Sequence, residues 1–425
     1  MALSTGKTAE VMFEKWKETY DHQESLLPLT EFHEPDAGMM QNASNVIWYP
    51  VQQHRPIISG WDISNEETGI IEETYPAVLG TPNNDFVKQR ADDMRDQRFW
   101  ERAAEQAAKR QATELNKDIA SAVATQGSLF YRSNVTSGYE FVAQAQAIMN
   151  ERQLNETQRV FVLNDRDNLT FGTDLAARQT LQGRPEQTWS KGQIGQNIAG
   201  FDVYTGSYLP NLTGGADPAV TVTGNQSFAP SGGSVNATTK VVTNVDYREA
   251  SLVVNNSALV TVGDKFTLEN SGTAVQSLGL ADKQASGQPM TFSVIELTDA
   301  THIKIYPKPI ATDDAALTTL EAAYANINTQ ILNAATLTRL NIDASNKTNI
   351  FFDKSAVEVI GGSIPAELFA QYDGMKVITD TLANGLQLYM VYDGDIATMD
   401  FRFRIFVWYG VTVCNPSNCG CAVTY

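Results

Sequence analysis

The sequence predicts an α+β fold. Three observations carry this. Residues 83–126 run forty-four positions without glycine or proline. From Gly214 to Pro309 the chain becomes rich in Thr, Val, Ser, Gly and Asn and loses any helical period. Near the end, Phe401, Phe403, Ile405 and Val407 alternate with Arg402, Arg404, Phe406 and Trp408, the period of a strand.

Taken in order, residues 1–36 read as a helical acidic arm, with Val11, Met12, Phe13, Trp16 and Tyr20 as its apolar side. Residues 45–80 read as extended: Val46–Val51 is strand-like, and Pro50, Pro56 and Pro76 punctuate a long two-stranded excursion. So little apolar mass cannot form its own core, so this segment projects and needs something else to lie on.

The forty-four-residue run predicts one helix from Asn83 to Gln126, stopped by Gly127. Trp100, Ala103, Ala104, Ala107, Ala108, Ala112, Leu115, Ile119, Ala122 and Val123 make a narrow stripe at spacings of three and four. Eight acidic and eight basic side chains cover the rest. At ~1.5 Å per residue it would reach roughly 60 Å, more than a compact core needs.

Residues 127–215 predict a helix from Gly138 to Asn155 and a strand from Val160 to Leu163. Six strands follow: Ala219–Thr223, Lys240–Val245, Ser251–Val254, Lys265–Leu268, Met290–Leu297 and His302–Tyr306, the pattern of a small barrel inserted into an α+β host. Helix signals return from Asp313 to Leu340, and Gln387–Tyr392 meets a favourable turn pair at Asp393-Gly394.

The balance of 42% hydrophobic and 19% charged residues is that of a globular chain, and 425 residues suffice for several domains. The net charge is −18. The acid is concentrated in residues 1–36 and in 61–74, where Asp62, Glu66, Glu67, Glu72 and Glu73 meet no Lys or Arg. This argues against nucleic-acid or anionic-membrane binding as the main task. It leaves two readings open, solvated faces kept for solubility or attraction to a basic protein partner. No apolar stretch is long enough to cross a bilayer. Residues 1–6 lack the basic start and apolar core of a signal peptide, so residence in the cytosol is the expectation.

No reaction is proposed by the residues. His22, His33, His54 and His302 pair with no serine or cysteine in a known motif. Asp92, Asp93 and Asp96 sit among Arg90, Arg95 and Arg98, a pattern of surface ion pairs. Gly192, Gly195 and Gly200 lack the order of a phosphate-binding loop. Cys414, Cys419 and Cys421 fit no zinc or redox spacing. They are read as free thiols, with a metal clip or intermolecular disulfide as the alternatives. Neither cofactor nor metal is expected.

A resemblance runs over nearly the whole chain. Ser44–Val51, Gly60-Trp61-Asp62, Asn84-Asp85-Phe86, Arg90–Asp96, Ala199–Asp202, Gln226-Ser227-Phe228, Gly263-Asp264-Lys265, Thr291–Val294, Pro307-Lys308-Pro309, Ala323–Asn326 and Trp408–Val411 follow one another in an order and spacing that resembles the major coat proteins of short-tailed double-stranded DNA phages of the Salmonella type. The sequence departs at Ser231–Asn236, nearly neutral where that family has a charged loop, and in its cysteine-bearing tail.

The resemblance implies the tailed-phage major capsid fold with an inserted six-stranded β-barrel. It divides the chain into an N-terminal arm (1–36), a peripheral strand (37–50), an extended loop (51–80), a spine helix (81–126), a first axial part (127–215), the insert (216–310), a second axial part (311–395) and a peripheral strand with tail (396–425). It implies an icosahedral shell, T=7, of pentamers and hexamers around double-stranded DNA, built with a scaffolding protein and a portal protein in the host bacterial cytoplasm and ending in the virion. Two surfaces are expected to matter: Glu10, Glu14, Glu18 and Asp21 on the arm for scaffolding contact, and Trp61, Asp62, Ile63, Ile70 and Ile71 on the extended loop for neighbours. The rival readings are a non-viral, encapsulin-like shell protein of the same fold and an enzyme of unfamiliar α+β type.

Overall fold

The computed structural model describes residues 5–34, 45–51, 53–58, 60–62, 69–90, 97–133, 138–154, 158–177, 193–212, 214–230, 234–235, 238–342, 348–365, 367, 369, 375–395 and 397–424. They form an α+β chain in two compact units. The first comprises Met1–Ile47, Ala77–Ile119 and Glu358–Thr412. The second comprises Trp48–Pro76, Ala120–Val357 and Val413–Tyr425.

The first unit is built on an antiparallel sheet in the order Lys376–Thr381, Gln387–Asp395, Asp400–Val407, Asn83–Arg90. The last strand corrects the forty-four-residue helix. Asn83–Arg90 is extended and pairs residue for residue with Val407 to Asp400, and the helix is the thirty residues Gln97–Gln126. Residues 83–90 carry too few apolar side chains to reveal a strand. Their partner supplies the ladder, and a charged edge strand protects the sheet from pairing with another chain. Asp92, Asp93 and Asp96 lie outside the described residues.

The helix does bury the expected stripe: Trp100, Ala104, Ala108, Leu115 and Ile119 are buried, and the Trp100 ring lies 5.2 Å from that of Phe403. Gln111, buried among them, donates to the Ile405 carbonyl at 3.1 Å and accepts from Trp16 Nε1 at 3.0 Å. One amide thus satisfies groups of a strand and a second helix.

That second helix, Thr5–Gln23, buries Ala9, Met12, Phe13, Trp16 and Tyr20, one face at helical spacing. Asn116 closes its C-terminal end, donating to the Gln23 carbonyl at 3.3 Å and accepting from Leu26 N–H at 3.1 Å. These contacts provide for carbonyl and amide groups that the end of a helix leaves unpaired. The turn expected at Asp393-Gly394 is displaced. Those residues still pair with Arg402 and Phe401, and the chain reverses between Asp395 and Asp400, with Met399 at φ 54°.

The second unit contains a mixed sheet in the order Leu129–Ser133, Cys419–Thr424, Asn349–Asp353, Arg159–Leu163, Phe201–Thr205, Gln193–Ile198. Phe161 stacks on Phe351 at 5.8 Å, and Phe141, Phe201 and Tyr131 surround the pair. The helix Gly138–Glu151 follows the sequence reading. Asp165–Ala177 is a helix that reading missed, although Asn164 caps it, accepting from the N–H groups of Arg166 and Asp167 at 3.0 and 2.9 Å.

A further sheet of the same unit runs Ala250–Val253, His302–Tyr306, Phe292–Leu297, Lys265–Asn270, Thr336–Arg339, Val220–Thr221. Beyond its two end strands, Thr223 N–H donates to the Val253 carbonyl and Asn255 N–H to the Thr221 carbonyl, both at 2.9 Å. Phe266, Phe292, Leu252, Ile303 and Leu337 fill its interior.

Membership differs from the expectation in two ways. Val242–Thr243 pairs only with Ser234–Val235 among the described residues. Its place is taken by Thr336–Arg339, from the stretch read as helical. Between Asp313 and Leu340 the helix is only Thr319–Ala322, held by a capping box of Thr318 and Glu321. Thr336 and Thr338 alternate with buried Leu337 and Arg339, a β pattern that the preceding Ala and Leu residues obscure. Of the departure at Ser231–Asn236, residues 231–233 and 236 lie outside the described residues.

Lys265 is fully buried and donates from Nζ to the carbonyls of Thr125, at 2.9 Å, and Gly127, and to Ser293 Oγ at 2.7 Å. A cation at the carbonyl end of the long helix complements its dipole. The thiols of Cys414, Cys419 and Cys421 are buried, and burial pushes Cys419 up to about 12.

Candidate inter-subunit site

The excursion between the strands Val46–Pro50 and Thr74–Val78 is rooted by local bonds and exposed at its tip. At the root, Val51 N–H donates to the Glu73 carbonyl at 2.9 Å. Tyr324 OH donates to the Ile71 carbonyl at 3.1 Å, and the His54 ring meets the Tyr324 ring edge-on at 5.3 Å. Ile71 packs against a cluster of Leu278, Ile310, Tyr324 and Ala325.

Beyond the root, apolar groups stand in water. Trp61 is 107% exposed, Ile57 91% and Ile70 55%. Asp62 is exposed as well, and Ile63 lies outside the described residues. The structure therefore divides the sequence-derived group. Ile71 is part of the root, whereas Trp61, Asp62 and Ile70 are presented outward.

Beside the root is a group the sequence did not disclose. Glu73 is 5% exposed, and burial raises its carboxyl to about 7, partly offset by Lys308, itself pushed down by burial. Nearby, Arg248 is clamped to Asp246 through Nη2 at 2.8 Å and Nε at 2.9 Å.

On the arm, Glu10, Glu14, Glu18 and Asp21 are all exposed, on the side opposite the buried stripe. Glu18 binds Lys15 at 2.8 Å, and that hydrogen bond holds its carboxyl below the usual range.

An apolar groove opens on the outer face of the sheet in the first unit. Phe86, Ile364, Phe369, Met375, Val391 and Phe406 line it, with Arg402 and Arg404 among them. Phe86 is 59% exposed, and the Arg404 guanidinium lies over the Phe406 ring at 5.4 Å. Among the described residues, Glu31, His33 and Glu358 place one ligand-type atom each within 4.8 Å of one another, with His33 3.5 Å from Glu358. Their separation in sequence hid this grouping. No helix among the described residues is long and apolar enough to cross a membrane.

These surfaces belong to a recognisable family. The chain is similar to the capsid of cyanophage P-SCSP1u, with 10% identity over 95% of this chain and 89% of that one and a TM-score of 0.46. Against Mycobacterium phage Che8 the identity is 10%, the coverage 94% and 91%, and the TM-score 0.43. Against the virus-like particle of Pyrococcus furiosus the identity is 9%, the coverage 96% of each chain, and the TM-score 0.36. The family model described as P22 coat protein - gene protein 5 matches residues 1–424. The chain therefore belongs to the P22 coat protein family, as a structural, non-enzymatic capsid subunit that assembles with its own copies into the icosahedral shell of a virion.

Proposed function

We propose that copies of this chain, as pentamers and hexamers, close a T=7 shell around double-stranded DNA, with a scaffolding protein during assembly in the host cytoplasm and a portal protein at one vertex. The observation that carries this reading is the loop that leaves Trp61 107% exposed. Covering roughly 150 Å² of an aromatic at ~25 cal/mol per Å² contributes about 4 kcal/mol per contact, repeated at every subunit. The seat we infer for it is the groove of a second copy. Arg402 and Arg404 there complement Asp62, Glu66, Glu67 and Glu72 of the loop. The acidic chain also suits the contents, because an attractive inner wall would hinder the movement of DNA. We read the sheet of residues 220–339 as the family's inserted barrel, its ends joined through Thr223 and Asn255.

Replacing Trp61 and Ile70 together by serine is expected to abolish shells while leaving a folded monomer, since both side chains are already in water. Sedimentation and negative-stain microscopy of the variant with scaffolding protein would decide. Normal shell yield removes the loop from the contact.

The exposed carboxylates of the arm are proposed to receive a basic helix of the scaffolding protein. Each such pair contributes only ~0.2–1 kcal/mol, so several act together, and the attraction fades as salt shortens its range below ~10 Å. Glu14→Lys with Glu18→Lys should weaken scaffolding binding about tenfold or more at low salt. Affinity unchanged by the pair and by salt would exclude the arm.

A further inference from the structure

In the second unit, below the loop root, lies a cavity of about 60 Å³ whose lining includes His54, Arg152, Ser277, Lys283 and Tyr324. This exceeds the ~10–15 Å³ that one water requires and suits a tetrahedral ion. The cavity shares His54 and Tyr324 with a neighbouring recess of about 130 Å³, which adds Arg248 and Lys308. The recess also holds Glu73, and Arg248 there is paired with Asp246.

Arg152 is the telling residue. It is 6% exposed. Its Nη2 donates to Thr291 Oγ1 at 3.0 Å and to the Pro289 carbonyl at 3.4 Å, both neutral acceptors. Its Nη1 is buried and has no hydrogen-bond partner. A buried guanidinium with one arm unsatisfied is costly unless an acceptor reaches it. Lys283 lines the same cavity and uses one of its three donors, on the Ala325 carbonyl at 3.1 Å.

Glu151, exposed, bears on Arg152 through its charge, and the other nearby acids are committed elsewhere. Asp282 accepts from Gln153 Nε2 at 2.8 Å and from Gln284 N–H at 3.0 Å, and Asp246 is held by Arg248. Glu73 belongs to the adjoining recess and is held partly protonated by burial.

We propose that this cavity binds a small tetrahedral oxoanion, of the size and charge of inorganic phosphate or sulfate, between Arg152 and Lys283 with His54 beside it. The ion would accept from the donors that Lys283 leaves unused, beside the Arg152 guanidinium. It would also tie three separate segments: the loop residue His54, the end of the helix Gly138–Glu151, and the hairpin of residues 276–289. Burial lowers Arg152 and Lys283, and His54 is lowered by burial and, beside it, by the charge of Lys283. Binding is independent of the assembly reading, because it is a property of one subunit.

The test is thermal melting of the full-length monomer in potassium phosphate, potassium sulfate and potassium chloride at matched ionic strength, with NMR titration of His54. The expected result is a saturable rise in melting temperature with phosphate and with sulfate but not with chloride, and a His54 titration displaced upward by phosphate. Lys283→Gln, at a partly exposed position, should weaken the apparent affinity at least tenfold, and Arg152→Gln should remove it. Should Arg152→Gln fail to fold, Lys283→Gln and His54→Gln decide. A rise that never saturates, or that persists unchanged in these two variants, overturns the site.

Discussion

Asp264→Ala is expected to destabilise the sheet that contains Lys265–Asn270 by about 3–5 kcal/mol, the usual cost of stranding one member of a buried ion pair. Asp264 is 2% exposed and every lone-pair direction is used. Its Oδ2 accepts from Arg339 Nη2 at 2.6 Å and from Thr261 N–H at 2.8 Å. Its Oδ1 accepts from Thr261 Oγ1 at 2.9 Å and Asn341 Nδ2 at 3.0 Å. The Arg339 guanidinium, on a residue 6% exposed, would keep its carbonyl partners Ala216 and Leu259 but lose the one carboxylate it binds among the described residues. The cost therefore comes from the charge left behind rather than from the pair's own attraction. Asp264→Leu combined with Arg339→Met should recover much of the loss, because neither residue is then buried with a charge. Urea midpoints of the wild type and the two variants test this. Equal loss in the single and double variants would show that the two residues do not act as a unit.

The second large effect is a pH dependence centred on the loop root. The Glu73 carboxyl is raised from its ordinary 4.5 to about 7 by burial. As pH rises from 4.5, the unfolded chain gives up this proton first, while the folded chain keeps it until about 7. Its contribution to stability is thus full below pH 4.5 and lost as pH passes through 7. The span corresponds to about 3 kcal/mol. Glu73→Gln, which cannot ionise, should match the wild type near pH 4.5 and exceed it by about that amount at pH 8. His54, lowered by burial, acts in the opposite sense, and Arg248 and Lys308 line the same recess. Subtracting the variant's pH–stability curve from that of the wild type isolates Glu73. Hydrogen exchange at Val51 N–H, bonded to the Glu73 carbonyl, should quicken between pH 5 and 8 in the wild type beyond the ordinary base-catalysed trend, and less in the variant. Superimposable difference curves across that range would remove the effect.

Local pattern determined much of this protein. The buried faces of Thr5–Gln23 and Gln97–Gln126 follow from apolar residues three and four apart, because a helix places such residues on one side whatever it packs against. Phe403, Ile405 and Val407 face inward because strand side chains alternate, and the blocks that mark the coat family are themselves contiguous. Tertiary structure decided what depends on a partner distant in sequence. Asn83–Arg90 is a strand because Asp400–Val407 offers it a ladder, not because of its own composition. Thr336–Arg339 joins a sheet through Lys265–Asn270, which overrides the helix-forming residues before it. The charge sites show the same limit. Arg152, Lys283 and His54 are separated by long stretches of chain, as are Glu73 and Lys308, so no spacing could announce them. Their chemistry arises only when folding removes water from around them, because desolvation acts on where a group is placed, not on which residues adjoin it in the sequence.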